Sequence, residues 1–236
     1  MTRLGLVGGL GPDSTIDYYR RILDGWKVTE PTTSPSIVID SLDVRRALDL
    51  VACDREALAE YLLASIERLT AAGADFVAIA ANTPHLVFDT LVAGARIPLL
   101  SIVETCADEA GRRGLRRLLL LGTGFTMEAP FYPEVLGRRG IHVVVPSEEE
   151  RRWIHAIYTG ELLRGEFHDD TRRELVAIVE RLRQQEGLDG VILGGTELPL
   201  LLHRVEVARL PALDTTSLHV DAIVKRLRDV APGVSA

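Results

Sequence analysis

The sequence predicts an α/β protein made of two pseudo-symmetric half-domains, each a parallel sheet flanked by helices. Three observations carry that prediction. Short aliphatic runs alternate with helical stretches along the whole chain, the pattern of strand–helix–strand units. The runs are continuously apolar, as strands covered on both faces are. The chain also repeats itself at an offset of 114 residues, with Leu6-Val7-Gly8-Gly9 against Leu120-Leu121-Gly122-Thr123 and Tyr18 against Tyr132. The segment Gly73-Ala74-Asp75-Phe76-Val77-Ala78-Ile79-Ala80-Ala81 likewise matches Gly187-Leu188-Asp189-Gly190-Val191-Ile192-Leu193-Gly194-Gly195. At an offset of 113, Ile97-Pro98-Leu99-Leu100 matches Leu210-Pro211-Ala212-Leu213. Such a repeat implies two similar halves facing each other across a cleft.

Strands are expected near residues 3–7, 36–40, 76–80, 98–101, 117–121, 141–145, 190–193 and 211–213. The first helix follows Pro12 and Asp13, a start signal, and carries Ile16, Tyr19, Ile22, Leu23 and Trp26 at helical spacing. Residues 55–72 carry Leu58, Tyr61, Leu62, Ile66 and Leu69 on one face. Residues 148–163 and 170–186 read similarly, the latter ending before Gly187. The first half-domain is taken as residues 1–100 plus 214–236, because the last helix, 215–230, returns to it. The second spans 101–213, the halves joining near 102–115. Residues 231–236 read as a frayed tail.

A chain of 236 residues, 47% apolar and 26% charged, suits a globular protein with a substantial core. A net charge of −7 argues against nonspecific nucleic-acid binding, which draws on basic surface. It leaves an anionic ligand open, since the local field matters more. No apolar run approaches the roughly 20 residues of a membrane span, and the N-terminus begins a strand rather than a signal peptide. The expectation is a cytoplasmic protein with no membrane partner. The only cysteines, Cys53 and Cys106, lack Cys-x-x-Cys or His-spaced partners. His142, His155, His168 and His203 show no metal spacing, so no metal site is expected.

Parallel α/β sheets bind ligands at the carboxyl ends of their strands. Four segments stand there. They are Gly8-Gly9-Leu10-Gly11-Pro12-Asp13-Ser14-Thr15, Gly122-Thr123-Gly124-Phe125-Thr126-Met127, Ala81-Asn82-Thr83 and Gly195-Thr196-Glu197. Together they suggest a cradle for a carboxylate, with the last two as opposite walls. A Walker-type phosphate loop is absent because no lysine follows Gly11, and Ser14 stands where the dinucleotide fingerprint needs a third glycine. Gly9, Leu10, Gly11, Asn82, Thr83, Thr123, Thr126 and Thr196 are the candidate ligand-binding residues, with turn capping the plain alternative for the short polar ones. His85 and Glu197 are the nearest titratable groups in the two turns. Each is a candidate base, although His85 more often orients a turn and Glu197 more often holds loop backbone. Core packing accounts best for Tyr18 and Tyr132. Glu148-Glu149-Glu150-Arg151-Arg152 reads as a helix start.

Ala81-Asn82-Thr83-Pro84-His85, Gly194-Gly195-Thr196-Glu197-Leu198-Pro199 and Gly8-Gly9-Leu10-Gly11-Pro12 resemble the aspartate/glutamate racemase family. So do Gly122-Thr123-x-x-Thr126-Met127 and Asp214-Thr215-Thr216-x-x-His219. The resemblance implies flavodoxin-like half-domains, an active-site cleft between them, no pyridoxal phosphate, no metal and a homodimer. It also implies a small carboxylate or acidic amino acid as ligand. Arg45 and Arg46 fall on a loop that in the family approaches the ligand side chain, where an arginine fork would match a distal carboxylate; a solvated helix start is the equal alternative. Arg164 falls near a basic ligand-contacting position of relatives, with plain surface charge as the favoured alternative.

The family's racemases place a cysteine directly before Asn-Thr and another between Gly and Thr-Glu. One thiolate removes the α-proton and the other thiol returns a proton on the opposite face. Here those positions are Ala81 and Gly195, and neither residue can move a proton. The expectation is therefore a cofactor-independent isomerase with non-thiol proton transfer. The alternatives are lyase, cyclase or decarboxylase-type chemistry in the same pocket, or a binding homologue that has lost the reaction.

Overall fold

In a computed structural model of the chain, residues 2–202 and 206–229 are described. His203 and the tail 231–236 lie outside them. The described residues divide into two compact units, one running to Ile102 and resuming at His219, the other spanning Val103–Leu218.

In the first unit, β1 (Arg3–Gly8) leads into α1 (Pro12–Lys27), β2 (Ser36–Ser41), α2 (Val44–Cys53), α3 (Arg55–Ala71) and β3 (Phe76–Ile79). A 3₁₀ turn (Thr83–Val87), α4 (Phe88–Gly94) and β4 (Leu99–Leu100) follow, and α5 begins at Ile102 and runs to Arg112. The sheet order is β2-β1-β3-β4 and every pairing is parallel. The core gathers Leu4, Leu6 and Phe76 from the sheet with Tyr18, Ile22 and Trp26 from α1. The sequence stripe on α1 was thus partly misplaced. Ile16 and Tyr19 are 49% and 43% exposed, and the buried face instead runs Tyr18, Ile22, Trp26 at i, i+4, i+8.

The second unit holds β5 (Arg117–Gly122), α6 (Gly124–Glu128), α7 (Phe131–Gly137), β6 (His142–Val144) and α8 (Glu148–Gly160). A 3₁₀ turn (Leu162–Arg164), α9 (Asp169–Glu186), β7 (Gly190–Gly194), α10 (Leu198–Leu202), β8 (Glu206–Val207) and β9 (Leu210–Asp214) complete it. The final helix, α11 (Thr215–Arg228), starts here and continues past His219. Its Val220, Ile223, Val224 and Leu227 belong to the core of the first unit. The order is β6-β5-β7-β9-β8. The first four strands are parallel, and β8 adds one antiparallel edge strand. That hairpin is absent from the sequence reading because its turn residues, Ala208 and Arg209, have φ of 50° and 62°. Such turns favour Asn and Gly, so no turn signal marks it.

The internal repeat is visible in the hydrogen bonds. Leu4 pairs with Phe76, and Leu118 with Gly190, in the same register. At the amino ends of these strands the Asp75 carboxylate accepts the Arg3 N–H at 2.7 Å. Its counterpart Asp189 accepts the Arg116 and Arg117 N–H groups at 2.7 and 3.0 Å. Gly73 and Gly187 follow α3 and α9 at φ 85° and 62°, the left-handed ending that glycine permits. The offset slips by one at β4 and β9, where Leu99 corresponds to Ala212, and fails outright at the flank. β6 begins eight residues earlier than a 114-residue spacing from β2 would put it, because two short helices replace the single α1 and a shorter loop follows them.

Candidate active site

In the first unit the carboxyl ends of β1 and β3 lie side by side, with Val7 paired to Ile79. Gly9 takes a φ of 79°, and a Cβ there would collide with the Leu42 backbone, so the turn requires glycine. The Thr15 hydroxyl accepts the Gly9 N–H at 2.9 Å and donates to the Gly11 carbonyl at 3.1 Å. Leu10 is half-buried beside the buried Gly11. At the neighbouring turn Ala81 is half-buried, Asn82 is buried, and Thr83 opens the 3₁₀ turn.

His85 closes that turn. Its Nδ1 lies 3.2 Å from the Asn82 carbonyl, and its Nε2 accepts the Ile102 N–H at 3.4 Å. These partners assign the tautomer: Nδ1 carries the proton and Nε2 does not. The ring stacks on Phe88 at 4.7 Å. Burial pulls its pKa down to about 4, so the imidazole is neutral near pH 7. Behind it stands a second buried imidazole, His219, between the Tyr18 hydroxyl at 3.0 Å and the Leu100 carbonyl at 3.1 Å. Burial, with His85 adding to it, lowers that pKa to about 3.

In the second unit Gly122 pairs with Gly194 at the ends of β5 and β7. Thr123 caps α6, accepting the Thr126 N–H at 3.2 Å, and the two hydroxyls are 3.1 Å apart. Thr126 is fully buried. α8 begins with a capping box, Ser147 and Glu150 satisfying each other's backbone N–H. One face of it then meets these strand ends. His155 Nδ1 accepts the Gly124 N–H at 3.2 Å.

One turn further along α8, Tyr158 lies over Gly195. A Cβ at Gly195 would fall 2.6 Å from Tyr158 Cε2 and 2.8 Å from Cζ, with the hydroxyl closer still. The Tyr158 hydroxyl donates to Glu197 Oε2. Thr196 Oγ1 donates to the same oxygen at 2.9 Å, and the Glu197 N–H points back at the Tyr158 oxygen at 3.4 Å. All three side chains are buried. Burial, and then the neighbouring Glu197 carboxylate, push the Tyr158 pKa well above 10.

The structure therefore gathers Gly9, Leu10, Gly11, Ala81, Asn82, Thr83 and His85 at the strand ends of one unit, and Thr123, Thr126, Gly195, Thr196 and Glu197 at those of the other. The three candidate arginines lie on other elements. Arg45 and Arg46 are in the first turn of α2, the helix start that was the alternative for them, where the Asp43 carboxylate caps their N–H groups at 2.9 and 3.4 Å. Both are exposed, and Arg46 rests on the Tyr61 ring at 4.6 Å. Arg164 is exposed on the 3₁₀ turn after α8. Cys53 is exposed at the end of α2. Cys106 is buried in α5, where burial raises its pKa to about 12. Among the described residues no cluster of His, Cys, Asp and Glu could hold a metal ion, and no helix is long and apolar enough to cross a membrane.

Sequence reasoning passed over Tyr158, yet a signal was present. Tyr158 shares the buried stripe of α8 with Ile154 and Ile157, and it alone there carries a hydroxyl that must find a partner.

Known proteins resemble this chain over nearly its full length. The structure of a Yersinia pestis protein provisionally described as an Asp/Glu racemase superposes with a TM-score of 0.87 at 32% identity, covering 96% of this chain and 99% of that one. An aspartate racemase homologue from Pyrococcus horikoshii OT3 gives 0.83 at 33% identity, covering 97% and 100%. The broad specificity amino-acid racemase RacX of Bacillus subtilis (strain 168) is 21% identical over 220 residues, 91% of this chain and 93% of its own length. The family model for Asp/Glu/Hydantoin racemase matches residues 7–223, and the chain belongs to that family.

Proposed function

We propose that this protein is a cofactor-independent isomerase that binds a small carboxylate, foremost an acidic amino acid, at its strand-end turns and moves the ligand's α-proton without a thiol. The observation that carries this reading is Glu197. It is a buried carboxylate at the end of β7 with two hydroxyl donors on one oxygen. An α-carbon is a very weak acid, so proton removal needs a positioned base and a dry site. Glu197 supplies the base. Asn82, Thr83, Thr123 and Thr196, with the backbone amides of their turns, supply donors for the ligand carboxylate, and the chain forms a homodimer.

His85 takes a different part. Both of its ring nitrogens are engaged by backbone groups, so it positions the Asn82 turn rather than moving protons. This one-sidedness also favours a second reading, lyase, cyclase or decarboxylase chemistry that needs proton transfer on a single face.

Proton NMR in D₂O separates the readings. The protein is offered both enantiomers of aspartate and glutamate, and small dicarboxylates. Enzyme-dependent loss of the α-proton signal is the expected result. An intact α-proton with a new product would transfer the assignment to the second reading. No change with any ligand would leave a binding role and reject the isomerase.

A further inference from the structure

Gly195 lacks a side chain, but the space above it is filled. The Tyr158 ring occupies the volume that a side chain at 195 would enter, so the turn holds a phenol brought in from α8. Packing alone does not ask for a hydroxyl here. The rest of the buried stripe, Ile154 and Ile157, is aliphatic, and phenylalanine would fill the same volume. Burying a carboxylate and a phenol together carries a desolvation cost that an apolar pair would avoid. What the pair supplies is a short path for a proton, from the turn at Gly195 through the phenol oxygen to Glu197.

We propose that Tyr158 is the proton-transferring side chain at the end of β7, relaying a proton between the ligand's α-carbon and the Glu197 carboxylate. The proposal rests on the reading that a small carboxylate binds at these strand ends. In the forward step the α C–H bond breaks and its proton bonds to the Tyr158 oxygen. The phenol's own proton passes to Glu197 Oε2, which becomes a carboxylic acid. The electron pair left on carbon delocalises into the ligand carboxylate as an enolate, held by the turn amides. The reverse transfer returns a proton to carbon. Tyr158 is a neutral phenol before and after, so no buried phenolate accumulates beside Glu197. This agrees with the burial that holds the phenol protonated. Thr196, donating to the same Glu197 oxygen, keeps the carboxylate aimed at the phenol.

The test measures α-proton exchange into D₂O, as kcat and KM, for wild type, Tyr158→Phe and Glu197→Gln across pH 5–9. Thermal melts establish that each variant is folded. Tyr158→Phe keeps the ring and removes only the relay atom, so a fall in kcat of at least about 100-fold with KM within about threefold is expected. Glu197→Gln should fall at least as far. A folded Tyr158→Phe that exchanges within threefold of wild type would overturn the relay while leaving the isomerase standing. Should Tyr158→Phe not fold, Glu197→Gln decides, and a wild-type kcat and pH profile there overturn the proposal. No exchange by wild type with any ligand overturns both the isomerase and the relay, and is told apart because the variants then add nothing to the difference.

Discussion

The strand-end turns of the two units are built on the same scaffold and furnished differently. β1 with β3, and β5 with β7, share register and the aspartate clamp at their starts. Beyond their ends, one unit offers Ala81 with an imidazole whose two nitrogens are both engaged by backbone. The other offers Gly195 under a phenol that is bonded to a carboxylate. A repeat preserves what the sheet needs and leaves the turns free to diverge. Equivalence in fold therefore does not carry equivalence in chemistry.

The sharpest way to break this comparison is to remove each unit's titratable group. Glu197→Gln should lower the rate of α-proton exchange by about 10²–10⁴-fold, whereas His85→Gln should lower stability more than kcat. The imidazoles give a second contrast, in acid. His85 titrates near 4 in the folded chain against about 6.5 when unfolded, so between those values the unfolded state binds more protons. Its contribution is present above pH 6.5 and is lost as the pH falls toward 4, on the order of 3 kcal/mol. Melting temperature followed from pH 7 to pH 4.5 should drop steeply in wild type and less in His85→Gln.

Gly195→Ala drives a methyl group into Tyr158 and should cost about 1–3 kcal/mol in chemical denaturation. In a Tyr158→Leu background the same change should cost clearly less, and equal costs would mean the two positions do not compete for space. The strand-start clamps test the likeness rather than the difference. Asp189→Ala, which removes two hydrogen bonds to N–H groups that water can reach in part, should cost about 0.5–1.5 kcal/mol and more than Asp75→Ala, which removes one. Smallest of all, Arg46→Ala should cost under about 1 kcal/mol, through lost contact with Tyr61. An unchanged KM in Arg45→Ala would set that exposed arginine apart from the ligand.

The parallel sheets were legible because alternating apolar runs and the 114-residue repeat report directly on strand position. The antiparallel β8 was not, since Ala208 and Arg209 adopt a conformation their side chains do not advertise. The α1 stripe was misjudged because Ile16 and Tyr19 are apolar but face outward, and periodicity alone cannot tell which of two adjacent faces is buried. At the candidate site, the turn residues could be named from local motifs. The partnership of Glu197 with Tyr158 could not, because the two are 39 positions apart in sequence, and only packing of α8 against β5 and α6, beside β7, brings them together.

The aspartates that fasten the amino ends of the strands have a consequence for alteration by evolution or by design. Asp75 and Asp189 fix register at the end of each sheet remote from the turns. Residues 81–83 and 195–197 can then be rewritten without asking the strands to find each other again. The molecule separates its foundation from its workbench, and new reactions can be tried on the second while the first stays in place.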